Sequence, residues 1–197
     1  MLLAELMHEL ENREWDVLLG TETWREEQEE WLTLLGGHRF LGGGGVKGRG
    51  VAIVLHERWK NAVQGRRAVS ERLAWLDVTM HGKKLRLIAV YFPHMGYSEA
   101  EVEALYNELS KVCGDARRAG RKVLVGGDFN AAVGVAGEED PAEAVGKFGY
   151  GERNHRGRNT VSEMGIGGRL RAHEHAVQEV GREALDSHGQ QGGVAAN

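Results

Sequence analysis

The side chains best suited to chemistry in this chain follow three apolar runs, at the points where the runs end. They are Glu22, Tyr91 with His94, and Asp128 with Asn130. In open α/β sheets, ligands bind at the carboxyl ends of strands. One or two carboxylates, completed by water and a phosphate oxygen, suffice for a Mg²⁺ site. An amide can orient a phosphate or a water, and a tyrosine hydroxyl can donate to a developing oxyanion. The pattern predicts such a site if the strands of Glu22 and Asp128 are neighbours.

The clearest cluster is the stretch Lys122 to Gly134, KVLVGGDFNAAVG. Its apolar, β-branched run stops at two glycines, and Asp128 and Asn130 follow at once. Glycines allow close backbone approach and unusual φ/ψ angles. The stretch therefore predicts a buried strand that presents an acid and an amide at its carboxyl end.

Each of these residues also has an ordinary structural explanation. A lone glutamate after a strand, such as Glu22, is most often a solvated loop residue. Asp128 can serve a plain Asx-turn, and Tyr91 can be a core residue with a satisfied hydroxyl. His94 by itself is a surface or loop histidine. The clusters carry more weight together, because all three follow predicted strands at the same type of edge.

The elements that must position these side chains alternate between helix and strand patterns. Leucines and a methionine at helical spacing begin the chain, and all-apolar runs mark the strands. In chain order the pattern predicts a helix over 2–13, a strand over 16–20, a short charged helix over 25–35, a flexible glycine loop over 42–45 and a strand over 51–55.

The middle of the chain predicts a hairpin and then a helix. Two apolar runs, 73–80 and 85–91, flank a His-Gly-Lys turn. Ser98 and Glu101 form a capping box ahead of a long apolar period, which predicts a helix that ends near Gly120. A strand over 122–126 follows. Antiparallel and crossover connections together predict a mixed sheet.

After about residue 134 the periodicity weakens. Residues 171–186 match a helix with a thin apolar face, and the tail from Ser187 is predicted to be disordered. Residues 147–171 carry six basic side chains against two acidic ones. This basic stretch either follows a phosphate backbone or is a solvated loop.

Composition limits the class of protein but does not indicate a function. The 197 residues suffice for one domain with a sizeable core, and the net charge of −4 gives no general attraction to nucleic acid or membrane. The single cysteine excludes an intramolecular disulfide and suggests a reducing, intracellular compartment, nucleus or cytoplasm. The sequence predicts neither a membrane span nor a signal peptide.

Three segments, LLGTETW, VYFPHMGYS and VLVGGDFNA, occur in this order. The ordered set resembles the endonuclease/exonuclease/phosphatase superfamily, and more narrowly the apurinic-type endonuclease domain of LINE-type (non-LTR) retrotransposons. GRGVAIVL, residues 48–55, and GYGERNHRG, residues 149–157, resemble that subgroup too. The resemblance covers roughly residues 3–158, so a partial domain of this type is expected over 1–160 and a divergent, weakly structured tail over 161–197.

The resemblance implies an incomplete four-layered α/β sandwich, in which helices flank two mixed sheets. It implies Mg²⁺- or Mn²⁺-dependent cleavage of DNA phosphodiesters by an activated water. Glu22 matches the metal-binding glutamate and Tyr91 the active-site tyrosine. His94 stands where an asparagine is frequent. Asp128 matches the aspartate that positions or deprotonates the water, and Asn130 matches the asparagine that holds the phosphate.

Two family features are expected to be missing. One is the opening strand with a metal-site asparagine, and the other is the closing Ser-Asp-His motif with its catalytic histidine. Asp186-Ser187-His188 has these letters in another order. A catalytically inactive remnant is therefore the alternative to an active DNA endonuclease. A phosphomonoesterase of the same superfamily is a third candidate, which no residue favours. The sequence gives no oligomeric state.

Overall fold

The computed structural model describes residues 3–135, 137–138, 140 and 151–165. These residues fall into two units, one that ends at Asn130 and one that begins at Ala131. The predicted helix over 171–186, the tail from Ser187 and part of the basic stretch lie outside the described residues. The predicted domain boundary at residue 160 stays a prediction.

Four antiparallel strands form the first sheet, which we call sheet A. They are β1 (Val17–Thr21), β2 (Glu30–Thr33), β3 (Arg39–Gly43) and β4 (Val51–Leu55), in the spatial order β1–β4–β3–β2. Strand β4 is buried along its whole length, as its unbroken apolar run predicted. Thr21 pairs with Val51 at one end of sheet A, and Val17 pairs with Leu55 at the other end.

The second sheet, sheet B, carries the other polar clusters. Its strands are β5 (Val63–Ser70), β6 (Leu73–Met80), β7 (Lys83–Tyr91) and β8 (Lys122–Asp128), in that order across the sheet. The β6–β7 hairpin turns at His81 and Gly82, whose φ angles of 48° and 73° match the tight turn that hairpins favour. Strands β7 and β8 run parallel, and Tyr91 pairs with Asp128.

The two sheets pack face to face, and a helix covers each outer face. On the outside of sheet A, Leu3 and Met7 of helix α1 (Leu3–Leu10) pack against Phe40. Outside sheet B, Arg86 donates to the Val112 carbonyl of helix α2 (Glu99–Arg118) at 3.0 Å. The expected four-layered sandwich is confirmed, but only sheet B is mixed as expected, because the described strands of sheet A pair only antiparallel. Among the described strands, the one parallel pair that makes sheet B mixed is β7–β8.

The capping box of helix α2 is present as predicted. Ser98 Oγ accepts from the Glu101 N–H, and the Glu101 carboxylate accepts from the Ser98 N–H. The Ser98 hydroxyl also donates to Glu101 Oε2 at 2.8 Å. This hydrogen bond, and then that from the Ser98 N–H, lower the pKa of Glu101 because they favour the charged carboxylate. Beneath the helix, the Arg86 guanidinium makes two hydrogen bonds, of 2.7 and 2.8 Å, to the buried Asp77 carboxylate. The helix that separates β7 from β8 is thus fixed at its start and along its buried face.

The helix predicted over 25–35 is wrong. This segment contains strand β2 and then a short 3₁₀ turn, Leu35–Gly37. Strand β2 lies at the edge of sheet A, and its residues are partly buried or exposed. A charged residue such as Glu30 is therefore tolerated there. Arg25 pairs with Glu30 across the turn before the strand. Tertiary pairing with β3 overrides the helical composition.

The flexible loop predicted over 42–45 is wrong in part. Gly42 and Gly43 are buried residues of β3. A Cβ on Gly43 would lie 2.8 Å from the Ser70 carbonyl oxygen, which brings the two sheets close at this point. Strand β5 was not predicted, because VQGRRAVS lacks a regular alternation.

The second unit contains helix α3 (His155–Gly165), which was not predicted. Arg153, in the loop before it, donates to the Val133 carbonyl at 2.6 Å and to Asp140 Oδ2 at 2.6 Å. The hydrogen bond with Arg153 lowers the pKa of Asp140. One cation of the predicted basic stretch therefore serves an internal ion pair. In the part of the chain that the structure describes, no helix is long and apolar enough to cross a membrane.

Candidate active site

Two predicted site residues meet across the two sheets. Glu22 directly follows β1 of sheet A, and Tyr91 ends β7 of sheet B. The Tyr91 hydroxyl donates to Glu22 Oε1 at 2.7 Å. Tyr91 is 7% exposed, whereas Glu22 is exposed, so the hydrogen bond lies where the core opens to solvent.

The third residue, Asp128, reaches the same edge by strand pairing. It lies opposite Tyr91 in the parallel β7–β8 ladder. Burial raises the pKa of Tyr91 to about 12, and the hydrogen bond and negative charge of Glu22 and then the charge of Asp128 add to that rise. At neutral pH the Tyr91 hydroxyl is therefore protonated and is a hydrogen-bond donor. The geometry supplies two carboxylates and one O–H group at a single edge.

Asn130 closes a turn directly after β8. Its backbone N–H donates to Asp128 Oδ1 at 2.8 Å, which is the Asx-turn considered from the sequence. Its side-chain amide donates to the Phe92 carbonyl at 2.8 Å, and the Phe92 N–H donates to the Asp128 carbonyl at 2.7 Å. Asn130 has a φ of 47°, a left-handed conformation that asparagine tolerates. The turn ties the end of β8 to the residue after Tyr91, and one amide N–H of Asn130 is left for a ligand.

The second glycine of the GGD sequence is required by the backbone. Gly127 has a φ of 141°, and a Cβ at this position would lie 1.9 Å from the Val90 carbonyl oxygen. No side chain fits without moving β7. The close approach lets Asp128 stand directly beside Tyr91.

The loop that carries Glu22 is also conformationally unusual. Glu22 and Trp24 have φ angles of 54° and 55°. Such conformations cost roughly 1–3 kcal/mol for a residue other than glycine and cluster at functional sites. Two backbone hydrogen bonds hold the loop, from Thr23 N–H to Gly50 O at 3.4 Å and from Trp24 N–H to Arg49 O at 3.0 Å. A plain solvated loop explains this geometry less well than a constrained site does.

His94 lies on the exposed loop after Tyr91. Its Nδ1 accepts from the Gly96 N–H at 3.1 Å, so the neutral ring carries its proton on Nε2. The ring packs edge-to-face on Tyr97, with ring centroids 4.6 Å apart. The role predicted for His94, like the individual roles predicted for the other four residues, stays a prediction.

Arg72 was missed from the sequence, although it touches the site residue Tyr91. It is 9% exposed and donates to the Tyr91 carbonyl at 3.1 Å. Its guanidinium carbon lies 5.2 Å from the Tyr91 ring centroid and 5.0 Å from that of Tyr97. Burial, and then the nearby charge of Arg49, lower the pKa of Arg72. The buried cation positions Tyr91 and opposes the rise of its pKa.

Arg49 extends this arrangement outward. It pairs with Glu71 at 2.6 Å and donates to the Tyr97 hydroxyl at 3.1 Å, over whose ring it also stacks. These hydrogen bonds raise the pKa of Arg49. Arg49, Tyr97, Arg72 and Tyr91 thus alternate as cation and ring. No signal in a single sequence marks the two arginines, because each precedes a strand in an ordinary charged turn.

The donor set fits a cation that keeps much of its own hydration. The carboxylates of Glu22 and Asp128 are hard oxygen ligands. Within the described residues, no three histidine, cysteine or acidic side chains come close enough to cage a metal ion. Mg²⁺ does not require such a cage, since one or two carboxylates with waters and phosphate oxygens hold it.

Comparison with known proteins gives a family for this geometry. The model of the Endonuclease/Exonuclease/phosphatase family matches residues 2–160. Craniofacial development protein 2 from Bos taurus is 30% identical over 124 residues, and the protein of that name from Tragulus javanicus is 28% identical over the same length. Both matches cover 62% of this chain, which spans only 20% and 21% of these relatives.

A solved structure shares the fold. The endonuclease domain of TRAS1, a telomere-specific non-LTR retrotransposon, superposes with a TM-score of 0.50 and 16% sequence identity. The match covers 83% of this chain and 63% of that domain. At this identity the likeness concerns architecture, and it agrees with the packed sheets described above. The family match over most of the chain, together with this fold, shows that the chain belongs to the endonuclease/exonuclease/phosphatase family.

Proposed function

We propose that this chain is a divalent-metal-dependent DNA endonuclease of the retroelement type. The observation that carries the proposal is the meeting of Glu22, Tyr91 and Asp128 at one edge, with the Tyr91 hydroxyl on Glu22 Oε1 at 2.7 Å. Membership of a family of nucleases and phosphatases supports phosphodiester hydrolysis. The retrotransposon endonuclease of similar fold supports DNA as the substrate.

Each site residue takes a role that its surroundings permit. Asp128 accepts the proton of the attacking water, whose oxygen bonds to phosphorus as the bond to the leaving oxygen breaks. Tyr91, protonated at neutral pH, donates to a phosphate oxygen as negative charge develops there. Asn130 holds the phosphate through its remaining amide N–H. His94 extends the donor set on the neighbouring loop.

Glu22 would hold the Mg²⁺ or Mn²⁺ ion. Bound there, the ion supplies Lewis-acid charge stabilisation for the phosphate. The Tyr91 hydroxyl has one proton, so it would leave Glu22 Oε1 and donate to the phosphate when the substrate binds. Arg72 keeps the ring in place through its hydrogen bond to the Tyr91 carbonyl.

The test is nicking of supercoiled plasmid by the purified chain with Mg²⁺ or Mn²⁺. We expect Asp128→Asn and Glu22→Gln each to lower the nicking rate by about 10²-fold or more. The matched controls are Asp115→Asn and Glu103→Gln, exposed carboxylates of helix α2. Equal nicking by all five proteins would mean a contaminating nuclease and would reject the proposal.

The second candidate is a DNA-binding remnant without turnover. One observation favours it: the Asn130 side-chain amide already donates to the Phe92 carbonyl, so one of its two N–H groups is not available to a phosphate. This candidate predicts plasmid binding in a gel-shift assay and no nicking with either metal. If Glu22→Gln leaves plasmid binding unchanged, Glu22 holds no metal that contributes to binding. That result would distinguish a remnant from an active enzyme that the assay conditions inhibit.

A further inference from the structure

Trp24 is an exposed aromatic side chain two residues after Glu22. It is 61% exposed, whereas the other four tryptophans, Trp15, Trp31, Trp59 and Trp75, are partly buried. An isolated exposed apolar residue needs no explanation. Trp24 differs because its position beside the site is fixed by the backbone.

The backbone presents the indole in a conformation that bulky residues rarely adopt. Trp24 has a φ of 55° and is held by its hydrogen bond to the Arg49 carbonyl at 3.0 Å. Gly50, with a φ of 122°, makes room for this loop, because a Cβ there would lie 2.3 Å from Thr23 Oγ1. That Thr23 hydroxyl is buried and has no hydrogen-bond partner among the described residues. A loop with such costs is typical of a site that must present a side chain.

Arg49 links the loop of this exposed ring to the aromatic residues beside the site. Arg49, whose carbonyl accepts from Trp24, stacks on Tyr97, and Arg72 lies against Tyr97 and Tyr91. Arg49 pairs with Glu71, and the buried Arg72 guanidinium donates to the Tyr91 carbonyl, so both arginines are engaged within the protein. Exposed aromatic rings are what proteins use to stack on the bases of a single nucleic-acid strand, whatever the base.

We infer that Trp24 stacks on an unpaired base of the DNA strand beside the phosphate held at Glu22, Tyr91 and Asp128. The inference rests on the proposed function and adds a substrate class to it. Bases inside an intact duplex are stacked on each other and offer the indole no free face. The favoured substrate therefore has an unpaired nucleotide next to the cut, as in a single strand, a bulge or a junction.

The test is fluorescence anisotropy of a labelled single-stranded oligonucleotide and of the blunt duplex of the same sequence, with EDTA present to prevent cleavage. Trp24→Asn removes the ring and tolerates the left-handed backbone, and Trp24→Phe keeps a ring. Leu35→Ala is the matched control. Leu35 is 95% exposed and follows Thr33, whose strand register places it at the opposite end of sheet A from Thr21.

We expect Trp24→Asn to weaken single-strand binding by about tenfold or more, and Trp24→Phe by less than about threefold. Leu35→Ala should bind like the wild type, and duplex binding should change by less than about twofold in every variant. Single-strand binding that is unchanged in Trp24→Asn would reject the inference. An equal loss for strand and duplex would also reject it, since the ring would then contact a groove.

Two further measurements separate this inference from the proposed function. If wild-type protein nicks plasmid but Trp24→Asn leaves both nicking and single-strand binding unchanged, only the inference fails. If wild-type protein neither nicks plasmid nor binds either oligonucleotide, the proposed function fails first. Sedimentation of wild type and Trp24→Asn tests a different occupant of the ring. If the wild type is a dimer and Trp24→Asn is a monomer, a second copy of the chain covers the ring, and the inference that the ring stacks on a base is rejected.

Discussion

The two ends of the sandwich use polar and aromatic residues in opposite ways. At the end that carries Glu22, Tyr91 and Asp128, carboxylates are exposed and the Arg72 cation is buried without a carboxylate partner among the described residues. The other end, which we call the far end, holds the starts of β1 and β7. The side chains of Asp16, His38 and Trp59 have hydrogen-bond partners at that end.

The far end is built around a group of stacked rings. Trp15, His38 and His56 lie with ring centroids 4.8–5.0 Å apart. His38 Nδ1 accepts from the Glu57 N–H at 3.0 Å. Asp16 accepts from Trp59 Nε1 at 2.7 Å.

Asp16 also pairs with Arg58 at 3.3 Å. The ring of Trp59 reaches His81 in the sheet B hairpin, 4.7 Å between centroids. At the far end, hydrogen bonds, an ion pair and ring contacts thus join the two sheets. Both ends hold buried polar atoms without a partner among the described residues, and both hold non-glycine residues with positive φ. The site end differs in its two exposed carboxylates beside the protonated Tyr91 hydroxyl.

The largest effect that would sharpen this comparison is expected at Tyr91. Tyr91→Phe removes the O–H that donates to Glu22 and keeps the ring against Arg72. We expect nicking to fall by about 10²–10³-fold, the loss typical of one donor to a developing oxyanion. Thermal melting should change little. A variant that nicks normally would contradict the role of the hydroxyl.

The next largest effect is expected at the far end, on stability instead of activity. Asp16→Ala removes the acceptor for Trp59 Nε1 and the partner of Arg58. We expect the free energy of unfolding to fall by about 1–3 kcal/mol, because a partly buried donor loses its charged acceptor. Urea unfolding measures this loss. Nicking per folded molecule should stay at the wild-type rate, and a specific loss of nicking would break the division between the two ends.

A smaller effect of opposite sign is expected beside the site. Thr23→Val replaces a buried hydroxyl without a described partner by a methyl group of similar shape. We expect a gain of about 1 kcal/mol in the free energy of unfolding. Thr160→Val is the matched control, because its hydroxyl donates to the Arg156 carbonyl at 2.9 Å, and it should lose stability. Loss of stability in Thr23→Val would show that the hydroxyl is satisfied.

The smallest effect is a pH dependence at the far end. Burial, and then the neighbouring His56, lower the pKa of His38. The folded state therefore binds the proton less well than the unfolded state. The stability that His38 contributes is present above its unfolded pKa of about 6.5 and is lost as the pH falls from there through its lower folded pKa. Melting at pH 7.5 and 5.5 should show this loss, and His38→Gln should reduce it. His8→Gln, in exposed helix α1, should leave it unchanged, and an equal reduction there would exclude His38 as its source.

Local patterns predicted the elements whose side chains face the core. Strand β4, the β6–β7 hairpin and the capped helix α2 follow from apolar runs, turn residues and the Ser98–Glu101 pair. Strand β2 was not predicted, because the charged residues before it favour a helix, and its own Glu30 is tolerated by the edge position beside β3. The buried glycines of β3 were misassigned for the same kind of reason, since their close packing involves Phe40 and Ser70.

Some residues of the candidate site could likewise be predicted from local sequence, and others could not. Glu22, Tyr91 and Asp128 were predicted because each ends an apolar run, and that information is local. Arg72 and Trp24 were not, because their significance comes from contacts with other segments: Arg72 with the Tyr91 carbonyl, and Trp24 with the Arg49 carbonyl. The type of a charged or aromatic residue beside a strand does not indicate which distant residues it contacts.

The Tyr91–Glu22 hydrogen bond has a consequence for the order of folding. Its two residues lie 69 positions apart in the chain, and the parallel β7–β8 pair must wait for helix α2 to cross between its strands. Contacts this distant form late and cooperatively, because loop closure must come first. The groups proposed to cut DNA therefore meet only in the completed domain. A nascent or partly unfolded chain holds its acid, hydroxyl and amide apart, and acquires their joint chemistry in the same step that makes it stable.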